Sequence, residues 1–165
     1  MNEGDHTDME LYALLGLMVR TAAELELRLQ IVARDLCESP YTAFWINGEN
    51  TSKVRNLIEG VARVRADVTP QELDVLKDLM KRCSAAFDRR NAYVHGAWLM
   101  DASDPDASAK QTLRFTRGNE APRFAPLSIS DLNDLVQDLS AVMTDLMGWW
   151  EPRLTRSHEK STASP

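Results

Sequence analysis

Cysteine is scarce. The 165 residues hold two, Cys37 and Cys83, far apart and with no CxxC spacing or histidine nearby. That excludes a disulfide-dense scaffold and a zinc finger. Glycine is scarce too, at seven residues, and neither GxxxxGK(S/T) nor GxGxxG occurs, so there is no phosphate-cradling loop to build on. No apolar run approaches the roughly 20 residues of a membrane span. The first ten residues, MNEGDHTDME, are too acidic and polar for a signal peptide, so a cytoplasmic protein with no membrane attachment is expected. Positive charge is outnumbered, with 19 Lys and Arg against 25 Asp and Glu and a net charge of −6. That argues against a dedicated non-specific DNA binder.

Against these absences stand a hydrophobic fraction of 44% and a charged fraction of 27%, the composition of a chain that folds. The length suits one domain with a real core. The expected organisation is a single helical domain over 1–154, followed by a disordered Ser/Thr/charged tail over 155–165.

Helical periodicity dominates. Leu11, Leu14, Leu15, Met18, Ala22, Leu25, Leu29, Val32 and Leu36 predict a first helix, capped by Asp5, Thr7 or Asp8 and stopped by Ser39-Pro40 after about Cys37. A second stripe of Ala13, Leu17, Leu27 and Ile31 gives this helix apolar surface on more than one face. Either a dimer interface or a deeply buried central position accounts for that. A loop or short turn with Phe44 and Trp45 follows, with Asn47-Gly48 as a turn signal. A short helix is expected over about 52–65, with Val54, Leu57, Ile58, Val61 and Val64 inward and Gly60 weakening it.

Thr69-Pro70-Gln71-Glu72 opens the third long segment with a capping box and proline at the first helical position. Its stripe is Leu73, Leu76, Leu79, Met80, Cys83, Phe87 and Val94, and His95-Gly96 ends it. Between Ala97 and Ser128 the period is lost. Asp101 to Ala109 reads as an Asp/Ser/Pro-rich loop. Thr112 to Arg117 alternates, Gly118-Asn119 is a turn signal, and Pro122 to Ile129 returns, which predicts a small β-hairpin insert. Ser128 or Ser130 caps a last helix through Leu132, Leu135, Val136, Leu139, Val142, Met143, Leu146 and Trp149, ending near Glu151-Pro152. The fold class is therefore all-α: four main helices with a small hairpin between the third and fourth.

Twelve of the 19 basic residues fall in three short segments: Lys53, Arg55, Arg63 and Arg65; Lys81, Arg82, Arg89 and Arg90; Lys110, Arg114, Arg117 and Arg123. An acidic chain can present local basic surface this way. The alternative is solvated helix faces paired with nearby acids. Cys37 and Cys83 read as small buried apolar residues, and Trp149-Trp150 as a core or interface anchor.

Chemistry concentrates in Asp88-Arg89-Arg90-Asn91-Ala92-Tyr93-Val94-His95-Gly96. Asn91 and His95 are four apart and share a helix face, and the long side chain of Arg90 swings toward the same side. Histidine moves a proton near neutral pH, arginine forks onto phosphate oxygens, and asparagine orients either. That trio suffices for cleavage at an RNA phosphate: imidazole takes the 2′-OH proton and the guanidinium stabilises the charge growing on phosphorus. Arg89 and Tyr93 are candidate substrate contacts, Tyr93 as a base-stacking ring. No ligand-spaced cluster points to a metal, and no cofactor is implied. The bland alternatives are His95 capping helix carbonyls, Arg90 paired with Asp88, Glu24 or Glu26, and Tyr93 packed in the core.

Arg90-Asn91-x-x-x-His95 at the end of the third helix of a small helical bundle resembles the Arg-x(4–6)-His signature of the HEPN superfamily. Arg89 also satisfies the spacing, but Asn91 directly after Arg90 favours Arg90. Gly96 and Trp98 are similar to bacterial HEPN-like proteins. The resemblance implies a homodimer whose two motifs meet in a shared cleft, with Arg90, Asn91 and His95 as the catalytic set. It also implies a metal-independent endoribonuclease of toxin–antitoxin or phage-defence type, with an antitoxin or regulatory protein as partner. Other members are non-catalytic, so a dimeric interaction or regulatory module is the alternative.

Overall fold

The computed structural model describes the backbone of residues 3–99, 110–114 and 123–162, and side chains over 9–96 and 128–153. Among these residues the chain is mainly helical. Its elements in order are α1 (Glu3–Cys37), α2 (Thr42–Ile46), α3 (Thr51–Val64), α4 (Pro70–His95), β1 (Ala97–Leu99), β2 (Lys110–Arg114), β3 (Arg123–Leu127) and α5 (Ile129–Thr162).

Local chemistry sets several of these boundaries. At α4, the Thr69 backbone N–H donates to Glu72 Oε2 at 2.8 Å and the Glu72 N–H donates back to Thr69 Oγ1 at 3.3 Å, the reciprocal capping box. At α5, Ser128 Oγ accepts from the Asp131 N–H at 3.0 Å and donates to the Asp131 carboxylate at 2.6 Å. Each such cap is worth about 1 kcal/mol. Asn50 caps α3 by accepting from the Lys53 N–H, two residues before the serine expected to begin that helix. The end of α1 passes through Glu38, which holds a left-handed φ of 49° before Ser39-Pro40. The segment read as a loop contains α2, which buries Thr42 and Ile46 and leaves Tyr41, Phe44 and Trp45 exposed.

Between α4 and α5, where the sequence reading expects a two-strand hairpin, lies an antiparallel sheet of order β1-β2-β3. Ala97 pairs with Leu113, and Lys110 through Arg114 pair with Leu127 through Arg123. β3 is an edge strand, where a proline such as Pro126 is tolerated. The expected turn at Gly118-Asn119, the loop from Asp101 to Ala109 and the side chains of Lys110, Arg114, Arg117 and Arg123 lie outside the described residues. Helix α1 begins at Glu3, so Asp5, Thr7 and Asp8, expected to cap its start, lie within its first turns instead.

The last helix corrects an expectation. It does not stop at Glu151-Pro152 with a tail from 155, but runs to Thr162 with Pro152 inside it. The proline removes one backbone donor. The carbonyl it orphans belongs to Gly148, which is exposed to water. Arg153, one residue further, is tied to Glu72 at 2.8 Å.

The chain forms two compact units, each drawing on α1, α4 and α5: Met1–Ala22 with Ala85–Leu139, and Ala23–Ser84 with Ser140–Pro165. The first buries Leu11, Met18 and Ala22 of α1, Ala86, Phe87 and Tyr93 of α4, and Leu132, Leu135 and Leu139 of α5. The second buries Leu25, Leu29, Val32 and Leu36 of α1, Val54, Ile58 and Ala62 of α3, Leu76, Leu79, Met80 and Cys83 of α4, and Val142, Leu146 and Trp149 of α5. Each large aliphatic side chain among them contributes about 1.5–3 kcal/mol. Val64, expected inward, is exposed because it is the last residue of α3. Leu17 and Leu27 of the second α1 stripe are exposed rather than buried in the chain's own core. No helix of the described residues is long and apolar enough to cross a membrane.

Burial pushes the Cys83 thiol up to about 12, with the Arg55 cation pulling the other way and Glu26 adding to the rise. Cys83 is therefore an inert core residue. Cys37 is half-buried.

Candidate functional site

The motif occupies the last turns of α4, in the first unit. The apolar stripe of α4 runs through Leu79, Cys83, Ala86 and Phe87, all buried. Arg90 is seven residues after Cys83 and Val94 seven after Phe87, so the helical period places both on the continuation of that stripe. Arg90 is half-buried and Val94 is exposed. A cation thus stands where the period calls for an apolar side chain, and the stripe leaves the chain's own core at that point.

Arg90, like the half-buried Arg55, has only neutral partners among the described residues. Its Nη1 donates to Asn91 Oδ1 at 3.0 Å. Its Nε is buried and has no hydrogen-bond partner. None of Asp88, Glu24 or Glu26 pairs with it: Glu24 meets Arg28, Glu26 accepts from Thr51, and Arg90 forms no ion pair among the described residues. A buried donor left unmade costs more than a made one gains, so this Nε is a local energetic cost of placing Arg90 on the stripe.

Arg89 is placed differently. Its Nη1 lies 2.5 Å from Asp138 Oδ2, and its Nη2 donates to the Asp131 carbonyl at 3.1 Å, both on α5. One hundred degrees of helix rotation separates it from Arg90, and that rotation sends it to the neighbouring helix. In the second unit Arg82 makes the equivalent contact with Asp145 at 2.8 Å. Arg82 and Arg89 are seven apart on α4, and Asp138 and Asp145 are seven apart on α5, the repeat expected of ion pairs between antiparallel helices.

Asn91 is half-buried and His95 exposed. The imidazole makes no hydrogen bond or ion pair among the described residues. Asn91 therefore meets Arg90 rather than His95, although four-residue spacing puts it on the histidine's face. Tyr93 turns inward, with 5% of its surface exposed. Burial raises its phenol pKa, the Asp131 carboxylate adds to the rise, and Arg89 opposes it. The ring is thus a core side chain, the packed alternative to a base-stacking contact.

Comparison with protein families, characterised proteins and solved structures gives no match for this chain. The site is read on its geometry alone.

Sequence reasoning missed Asp131 and Asp138. The signal that points to them is periodic: Asp131, Asp138 and Asp145 recur every seven residues on α5, against Arg82 and Arg89 on α4. The first basic segment is largely occupied. Lys53 meets Glu49, Arg55 donates to the Met80 carbonyl, and Arg65 meets Glu38 and Asp67. The hydrogen bond from Arg65 to Asp67, above all, lifts that guanidinium's pKa further above its ordinary range.

Proposed function

We propose that this chain is a metal-independent endoribonuclease of HEPN type, acting as a homodimer, with Arg90 and His95 as its catalytic groups and Asn91 positioning Arg90. The observation that carries the reading is the Arg90 guanidinium, oriented by Asn91 and without a carboxylate among the described residues, on a helix end whose histidine is exposed. In the reaction, the His95 imidazole takes the proton of the 2′-OH. The 2′-oxygen attacks phosphorus, the bond to the 5′-oxygen breaks, and that oxygen leaves as the 5′-hydroxyl after taking a proton from solvent water. Arg90 stabilises the charge on the phosphoryl oxygens. The expected products are a 2′,3′-cyclic or 3′-phosphate end and a 5′-hydroxyl end.

The test is incubation with RNA in EDTA. Cleavage should persist, and a substrate with 2′-deoxy at the scissile position should resist. Strict metal dependence or cleavage of the deoxy substrate overturns the mechanism. No cleavage of any RNA favours the non-catalytic module.

The dimer reading rests on apolar side chains exposed in the first unit: Met9, Tyr12 and Val19 toward one face of α1, Leu17 on another, and Val94 on α4. Sedimentation at tens of micromolar, a weak-association scale, should give a dimer. Leu17→Glu, which puts a charge at a position 38% exposed, should shift it to monomer without lowering the melting temperature of that monomer. A wild-type monomer at this concentration contradicts the assembly.

A further inference from the structure

Two adjacent arginines carry the same charge and opposite surroundings. Arg89 is held by the Asp138 carboxylate at 2.5 Å and the Asp131 carbonyl at 3.1 Å. Arg90 meets the neutral Asn91 amide and has a buried, unpartnered Nε. A carboxylate beside a guanidinium offsets part of its attraction for a second anion, because a phosphate drawn to Arg89 is at the same time repelled by Asp138. We infer that Asp138 is a positioning residue for the site: by holding Arg89 on α5 it leaves Arg90 as the arginine of the pair that meets an RNA phosphate. This inference rests on the ribonuclease reading of Arg90 and His95, and it removes Arg89 from direct substrate contact.

The side-chain placement supports a division of labour over mere proximity. The Arg89–Asp138 pair is open to solvent, with side-chain exposures of 39% and 58%, so it contributes little to stability. Its consequence is electrostatic and local. Two free adjacent cations would offer a phosphate two competing seats, about a third of a turn apart on the helix. One neutralised and one free cation define a single seat, on the half-buried side of α4.

The experiment reads bound charge rather than cleavage. A fluorescently labelled single-stranded 2′-O-methyl oligonucleotide, which lacks the attacking hydroxyl, is titrated with the full chain between about 50 and 200 mM salt. The slope of log K against log salt counts about 0.7 per phosphate neutralised on a single strand. Arg90→Ala should make the slope shallower by about 0.7, and Arg89→Ala should leave it unchanged. Asp138→Asn, which frees Arg89 while keeping the shape, should steepen it by about 0.7. Asp145→Asn breaks the equivalent pair on the same two helices and should leave the slope unchanged, which separates positioning at the motif from loosening of α4 against α5.

Binding by the wild type with no change in Asp138→Asn overturns this inference alone. An equal steepening in Asp145→Asn also overturns it, since any freed cation would then serve. A shallower slope in Arg89→Ala places Arg89 on the phosphate and overturns it as well. Absence of wild-type binding overturns the inference together with the ribonuclease reading beneath it.

Discussion

His95→Ala is expected to lower RNA cleavage by about 10²–10⁴, the range over which a positioned general acid–base group acts, while leaving the thermal melt unchanged. The two halves of this expectation have separate grounds. The imidazole is exposed and makes no contact among the described residues, so its loss empties no core and breaks no network. Among the described residues at the end of α4, Asp88 is two residues before Arg90 and so points to the other side of the helix, and Tyr93 is buried with burial raising its phenol pKa; His6 and His158 lie outside the residues whose side chains are described. Arg90→Lys should also fall sharply, since an ammonium cannot reproduce a two-pronged contact to phosphate and cannot keep the Asn91 hydrogen bond in the same plane. Single-turnover cleavage of a labelled RNA, read beside the melting curve of each variant, checks both. A His95→Ala protein that cleaves within a few-fold of wild type removes the histidine from the mechanism.

The elements that were legible in the sequence are those specified within one or two turns of chain. The start of α4 is written in Thr69, Pro70 and Glu72, because a capping box is a contact between residues three apart, and the structure closes it with two reciprocal hydrogen bonds. Ser128 is readable for the same reason. The motif is also local, and so Arg90, Asn91 and His95 were found together. Their states were not legible, because they depend on partners far along the chain. Arg89 and Arg90 are chemically identical as letters. What separates them is Asp138, 49 residues beyond Arg89, and only the packing of α4 against α5 brings it there. The direction of Tyr93 follows the same logic: seven residues after Ala86, it shares that residue's buried face. The strand pairing of Ala97 with Leu113 joins residues 16 apart, and a stretch of three apolar residues carries no period long enough to announce a strand.

The passage of α5 through Pro152 was illegible for a related reason, and it yields the largest expected stability effect. A proline within a helix removes a hydrogen bond and costs about 3 kcal/mol, so by local rules the helix ends there. Tertiary contacts override that cost. Arg153 is 7% exposed, lies 3.7 Å above the Trp149 ring and meets Glu72 Oε1 at 2.8 Å, while the Trp149 indole N–H donates to the Glu72 carbonyl at 2.9 Å. Arg153 also donates to the Trp149 carbonyl. A guanidinium this deep is tolerable only with its counter-charge.

Glu72 has two jobs, and one substitution separates them. Glu72→Gln keeps an amide oxygen for the capping box, which accepts glutamine as readily as glutamate, but strips the charge from beside Arg153. The cation then stays buried without compensation. Removing one partner of a buried pair costs about 3–5 kcal/mol, and partial exposure of Glu72, at 27%, brings the expectation to about 2–4 kcal/mol. Arg153→Met should cost less, about 1–2 kcal/mol, because the thioether still covers Trp149 and the carboxylate left behind reaches water. The ordering is the test: urea unfolding of the two variants should place Glu72→Gln at the lower midpoint with an unchanged m value. The reverse order would mean that packing on Trp149, rather than the buried charge, holds α5 past its proline.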